Sequence, residues 1–112
     1  MSPSEIRKDQ LTGALDMLIL RTLTLGPAHG YAIARHIERL SEDVLKVEQG
    51  SLYPALDRLL RRGWVTAKWA ETPTKRKARY YTITMSGRRQ LEERAAEHER
   101  ISLGIARVMG KA

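Results

Sequence analysis

Cysteine is absent from this 112-residue chain, which excludes disulfides and thiolate metal sites and fits a reducing cytoplasm. No apolar run is long enough to span a bilayer: the most apolar stretch, Leu11 to Leu25, is interrupted by Asp16 and Arg21. Residues 1–10 lack the apolar core of a signal peptide, and with Pro3 among polar neighbours they read as a flexible N-terminal arm. Arg7 and Lys8 in that arm are candidates for phosphate contacts. The expectation is a soluble cytoplasmic protein, one domain with a modest core and no membrane partner. Acidic residues are also scarce in one place: between Arg58 and Arg89 ten bases stand against Glu71 alone, half of the chain's 20 Lys and Arg. With a formal charge of +7, that field attracts a polyanion. DNA or RNA is the first expectation, and an acidic protein or membrane surface would also answer to it.

The rest of the chain is organised around the stretch from Val47 to Trp64. Leu52, Leu56 and Leu59 recur at helical spacing, while Ser51, Pro54, Arg58, Arg61 and Arg62 lie off that line, so one face can pack and another can meet a partner. Gly50 and Ser51 suit a helix start, Pro54 is tolerated only near the first turns, and Gly63 suits a left-handed cap. A helix is predicted from Gln49 to Arg62. The pattern alone also describes an ordinary amphipathic helix with a solvated basic face; the flanking segments decide between the two.

Before it, Leu11, Leu15, Leu18, Ile19, Leu20, Leu23 and Leu25 cover most of a helical circumference, which predicts burial on more than one side and hints at a dimer. Gly26-Pro27 ends that helix. A second helix is expected over Gly30 to Leu40 with Ile33, Ile37 and Leu40 inward. His29 and His36 are seven residues apart with no third ligand at metal spacing, so one is read as a surface or capping group, the other as a packed polar residue, and no metal is expected. After Gly63 the period changes to two: Val65, Ala67 and Trp69, then Tyr81 and Ile83, form two strands around a basic tip from Glu71 to Ala78. Helix, helix and basic hairpin make a winged helix. Thr84 caps a final helix running to about Met109, whose seam of Leu91, Ala95, His98, Ser102, Ile105 and Met109, with Ile101 and Val108 beside it, is only partly apolar; Leu91, Ala95, Ile101, Ile105 and Val108 are expected to pair with the first helix and a second copy. The predicted fold is mostly α with a small β-hairpin: arm 1–10, winged helix-turn-helix 11–84, and a C-terminal dimerisation helix 85–112. Leu11, Leu15 and Leu18 supply the other half of the dimer contact.

Several motifs in order carry a family resemblance. Leu15-Asp16-Met17-Leu18-Ile19-Leu20, His29-Gly30-Tyr31, Gly50-Ser51-Leu52-Tyr53-Pro54-Ala55-Leu56 with Arg58-Leu59 and Gly63-Trp64, and Arg79-Tyr80-Tyr81-Thr82-Ile83-Thr84 with Gly87 and Arg88 resemble the PadR family of bacterial transcriptional regulators, in its smaller subgroup with a short C-terminal helix. The resemblance implies a homodimeric winged helix, usually a repressor of double-stranded DNA targets. It also implies that Tyr31, Gln49, Ser51, Tyr53, Pro54 and Arg58 contact the groove and backbone, with Lys75, Arg76 and Lys77 in the wing. Some small members hold flat aromatic drugs between tryptophans of the C-terminal helices. This chain has no aromatic residue after Tyr81, so a small-molecule effector is not identified and no cofactor is implied.

Catalysis is not expected, because Ser51 lacks a nucleophile-elbow context and Asp57 lies one and a half turns further along the same helix, leaving His36 with no set to complete. The alternative to a sequence-specific regulator is a winged-helix adaptor for protein or RNA.

Overall fold

A computed structural model describes residues 8–111, with side chains from Ala14 onward. The order is α1 (Lys8–Leu23), β1 (Ala28–His29), α2 (Gly30–Leu40), α3 (Gln49–Arg61), β2 (Val65–Glu71), β3 (Lys77–Ile83) and α4 (Met85–Val108). Helix α1 thus begins three residues before the expected start at Leu11, and residues 1–7 of the expected arm, Arg7 included, lie outside the described residues. The mostly helical chain with a small antiparallel sheet is a winged helix, as the sequence predicts.

The core joins Ile19, Leu20 and Leu23 of α1 to Ile33 and Ile37 of α2, Leu52, Leu56 and Leu59 of α3, and Val65, Tyr81 and Ile83 of the sheet. Leu15 is part of it too, fully buried within one chain, which corrects its assignment to a dimer surface: α1 needs burial on two sides because α3 and α4 both pack on it. Leu40 ends α2 in solvent, since the chain turns away at Ser41 before the core can reach it.

The sheet has three strands in the order β1-β3-β2, one more than the sequence showed. The extra strand is two residues long, Ala28 opposite Tyr81 and His29 opposite Tyr80, too short for an alternation to register. His29 then caps α2: its Nδ1 accepts from the Ala32 N–H at 3.3 Å, and its ring meets Tyr80 edge-on at 5.3 Å. Helix α4 is capped by Thr84, whose hydroxyl accepts from the Gly87 N–H at 3.0 Å and donates to the Gly63 carbonyl at 2.8 Å. The Thr84 N–H also donates to the Trp64 carbonyl at 3.0 Å. Gly87 lies so close to that carbonyl that a β-carbon there would sit 2.1 Å from the oxygen. Beyond this anchor α4 projects, giving the molecule a 50 Å long axis against 32 and 21 Å.

Candidate nucleic-acid interface

Helix α3 starts after Glu48, whose carbonyl accepts from the N–H groups of Ser51 and Leu52 at 3.0 and 2.9 Å. Leu52, Ala55, Leu56 and Leu59 face the core, and Gln49, Gly50, Tyr53, Pro54, Asp57 and Arg61 are exposed. Three side chains expected to touch DNA are therefore open on this helix: Gln49, Tyr53 and Pro54. Arg61, expected on the partner-facing side, is exposed there and pairs with Asp57, which sequence reasoning did not place on that face; their four-residue spacing was the available signal.

The structure turns two candidates inward. The Ser51 hydroxyl oxygen is buried without a hydrogen-bond partner, so a helix-start serine that looked free is covered. The Arg58 guanidinium donates to the Asp16 carboxylate on α1 at 2.7 Å, and Asp16 is only 6 % exposed. A buried carboxylate needs a partner, and Arg58 is that partner, holding α1 to α3 rather than reaching outward. Arg62 stands 3.9 Å from the other carboxylate oxygen. Arg62 also lies 5.1 Å from the centre of the Trp64 ring, and Arg94 of α4 lies 5.0 Å from it, so the indole is flanked by two cations from different parts of the chain.

Strands β2 and β3 reach further than the sequence indicated, pairing Glu71 with Lys77 and Ala70 with Ala78. Lys77 is thus a strand residue, and the tip contracts to residues 72–76. Thr72 closes that tip: its N–H donates to the Arg76 carbonyl at 2.7 Å, its carbonyl accepts from Lys75 at 2.9 Å, and its hydroxyl accepts from the Arg76 N–H at 3.2 Å. Lys75, Arg76 and Lys77 are all exposed and, among the described residues, in no ion pair. Between this hairpin and the start of α2 and α3 runs an open groove of about 780 Å³, bordered by Tyr31, Tyr53, Trp69, Arg76, Lys77 and Arg79. Tyr31 is 67 % exposed and Tyr53 47 %. The Tyr53 ring rests against Gly30, where a β-carbon would come within 3.1 Å of it, so the glycine seats the tyrosine.

The profile of the transcriptional regulator PadR-like family matches residues 19–93, from the end of α1 to the first turns of α4, a span that holds α2, α3, the hairpin and the groove, with Asp16 and Arg94 just outside it. The chain belongs to the PadR family. PadR proteins are winged-helix, DNA-binding regulators of transcription, and the relatives agree. The transcriptional regulator YqjI of Escherichia coli is 33% identical over 101 residues, 89% of this chain and 47% of that protein, so the chain spans about half its length. A transcriptional regulator from Clostridium thermocellum superposes with a TM-score of 0.81 at 28% identity, covering 89% of this chain and 97% of the other. A PadR family regulator from Eggerthella lenta gives 0.72 at 30% identity, covering 89% and 85%.

In this PadR regulator the surfaces expected to meet a second copy are unevenly available. Leu91 is half-buried on the chain's own core and Leu18 likewise, while the side chain of Leu11 lies outside the described residues. Ala95, Ile101, Ile105 and Val108 are exposed along α4, Ile105 by 58 %, and Leu103 and Met109 add to them. Between α1 and α4 a cleft of about 380 Å³ is lined by Met17, Arg94, Glu97, His98 and Ile101 among others. No helix among the described residues is long and apolar enough to cross a membrane.

Proposed function

We propose that this PadR regulator is a cytoplasmic repressor that binds an inverted-repeat operator as a homodimer. Residues 11–84 form the DNA-binding unit and residues 85–112 the dimerisation helix. The observation that carries the reading is that α3 and the basic hairpin border one groove, so a helix in the major groove and cations at the flanking phosphates engage the same duplex face. Gln49 opens α3 and is exposed; glutamine can pair with both edge atoms of adenine, which makes it the sequence reader. Tyr31, Tyr53 and Pro54 fit the backbone beside it, and Lys75, Arg76 and Lys77 supply affinity without reading bases. Arg58 holds the helix against α1 through Asp16, and the covered Ser51 hydroxyl is not a groove contact.

Dimerisation rests on α4. An unpaired row of Ile101, Ile105 and Val108 on a projecting helix costs solvation that a second copy removes, at about 25 cal/mol per Å² of apolar surface covered. Two chains so joined hold their α3 helices at a fixed separation, and the operator half-sites then lie about one helical turn, or a multiple of it, apart. An effector, where one acts, fits the cleft between α1 and α4, beside the dimer surface.

Selection of bound duplexes from a random pool tests the reading: an inverted repeat should emerge, its affinity falling steeply with salt. Replacing Lys75, Arg76 and Lys77 together by alanine should flatten the log-affinity against log-salt slope by roughly two to three units, at about 0.9 per phosphate contact. Gln49→Ala should weaken the selected and scrambled sites by different factors. Binding without sequence preference, and equally to structured RNA, would favour the adaptor alternative instead.

A further inference from the structure

The pairing register puts Val65, Ala67 and Trp69 on one sheet face with their partners Ile83, Tyr81 and Arg79. At the base of the wing this is the core face, since Val65, Tyr81 and Ile83 are buried. Two residues further out the core has ended, yet the face continues, and it carries a tryptophan that is 68 % exposed. Trp69 lines the groove that Tyr31 and Tyr53 also border, with most of its ring still open to solvent, and it also borders a smaller hollow with Glu71 and Lys77. Beside it stand Arg79, Arg76 and Lys77, none of them in an ion pair among the described residues, and no carboxylate is among the groove's described lining. The Arg79 guanidinium already lies 5.9 Å from the centre of the buried Tyr81 ring, which limits where it can swing. Cations outside ion pairs, interleaved with exposed flat rings, match a chain in which anionic groups alternate with apolar rings.

We propose that this groove is a clamp for one sugar–phosphate strand of duplex DNA, in which Arg79 pairs with a phosphate and Trp69 lies against the adjoining deoxyribose. The clamp rests on the DNA-binding reading above and deepens it. It assigns to the stem of the wing, rather than its tip, a contact that is part ionic and part apolar. Both halves ignore base identity, so they contribute affinity to every sequence alike.

The two halves leave different marks on binding. Arg79→Gln should reduce the salt slope by about 0.9, one phosphate contact. Trp69→Ala should weaken binding roughly three- to tenfold on selected and scrambled duplexes equally, with the slope unchanged, since a neutral apolar contact releases no counterion. Both positions are exposed, and circular dichroism checks that the variants fold. A third readout needs neither variant: in Trp64→Phe, Trp69 is the single tryptophan, and duplex DNA should shield its fluorescence from acrylamide several-fold. Trp69 that quenches equally in free and bound protein, together with two variants that bind like wild type, overturns the clamp and leaves DNA binding intact. Polyglutamate that shields Trp69 as well as DNA does at equal charge overturns it in favour of an acidic protein partner. A wild-type chain that binds no duplex overturns the functional reading itself.

Discussion

Gly87→Ala puts one carbon where α4 presses against the backbone at Trp64. That carbon would meet the Trp64 carbonyl oxygen at 2.1 Å and the Ile83 side chain at 2.9 Å, whereas ordinary contact begins at 3.4 Å. The carbonyl cannot yield freely, because it holds the Thr84 N–H at 3.0 Å, and Ile83 belongs to the core. The first turn of α4 must instead retreat by about 1 Å, a strain of the kind that costs about 1–3 kcal/mol in a packed interior. Weakening the Thr84 hydrogen bond adds about 1 kcal/mol, for a total of about 2–4 kcal/mol against a typical domain stability of about 5–15 kcal/mol. Urea unfolding followed by circular dichroism reads this directly: with a slope of about 2 kcal/mol per molar, the midpoint should fall by about 1–2 M. Protein concentration must be held constant, because self-association would shift the midpoint by mass action. Gly104→Ala on the same helix is the control. An added carbon there meets nothing within 4 Å, and removing a helix-interior glycine should raise stability by about 0.5–1 kcal/mol. An unchanged midpoint for Gly87→Ala would refute the close approach of α4 to the turn at Trp64 and to Ile83 of β3. A loss at Gly104 would instead mark a second chain packed against that turn.

Other expectations follow from the same geometry. Arg58→Met should destabilise the fold by about 2–3 kcal/mol by stranding the Asp16 carboxylate; this is below the full cost for a buried pair because Arg58 is 31% exposed and Arg62 remains nearby. Adding Asp16→Asn should recover most of that loss in the same urea assay, and a double variant as unstable as the single one would contradict the pairing. Ile105→Glu should shift sedimentation toward monomer and weaken operator binding with it; a monomer with wild-type operator affinity would break the link between dimer and DNA. Burial raises the Tyr81 phenol above its ordinary 10.0, although neighbouring Arg79 opposes the shift. The folded state then keeps this proton after the unfolded chain has lost it, so the stabilising effect is complete below pH 10 and is lost as pH rises through the folded value. As pH rises above about 10, wild type should accordingly lose stability more steeply than Tyr81→Phe, and parallel curves would refute the burial argument.

The elements legible in the sequence were those bounded by residues with a backbone consequence. Gly26-Pro27 before the second helix, Gly63 after the third and Thr84 before the last placed three boundaries within a residue or two of those observed. The misassignments share a different origin. Leu15 looked like a dimer contact because a helix apolar all round says only that it is surrounded, not by which chain. Arg58 looked like a groove contact because its partner Asp16 lies 42 residues away, and no local spacing reports such a pair. The one hint was a carboxylate inside the most apolar stretch of the chain, which had to be neutralised by something. Trp69 obeyed the alternation correctly, but alternation gives the face and not the point along a strand at which the core runs out. The Trp64 ring between Arg62 and Arg94 was equally hidden, since Arg94 reaches it from 30 residues further along the chain.

The two-residue strand β1 has a consequence out of proportion to its size. It ties the first residue pair before α2 to the middle of β3, so the base of the wing and the entry to the helical pair are stitched into one sheet. A hairpin attached only at its root could pivot to follow the contour of whatever lay beneath it. This one is braced from the side and behaves as part of a rigid caliper. When such a caliper closes on DNA, the duplex must do the bending, and sequences differ in how readily they narrow a groove or open a base step. Selectivity then extends to base pairs that no side chain reaches, set by the stiffness of the nucleic acid and not by hydrogen bonds to its edges.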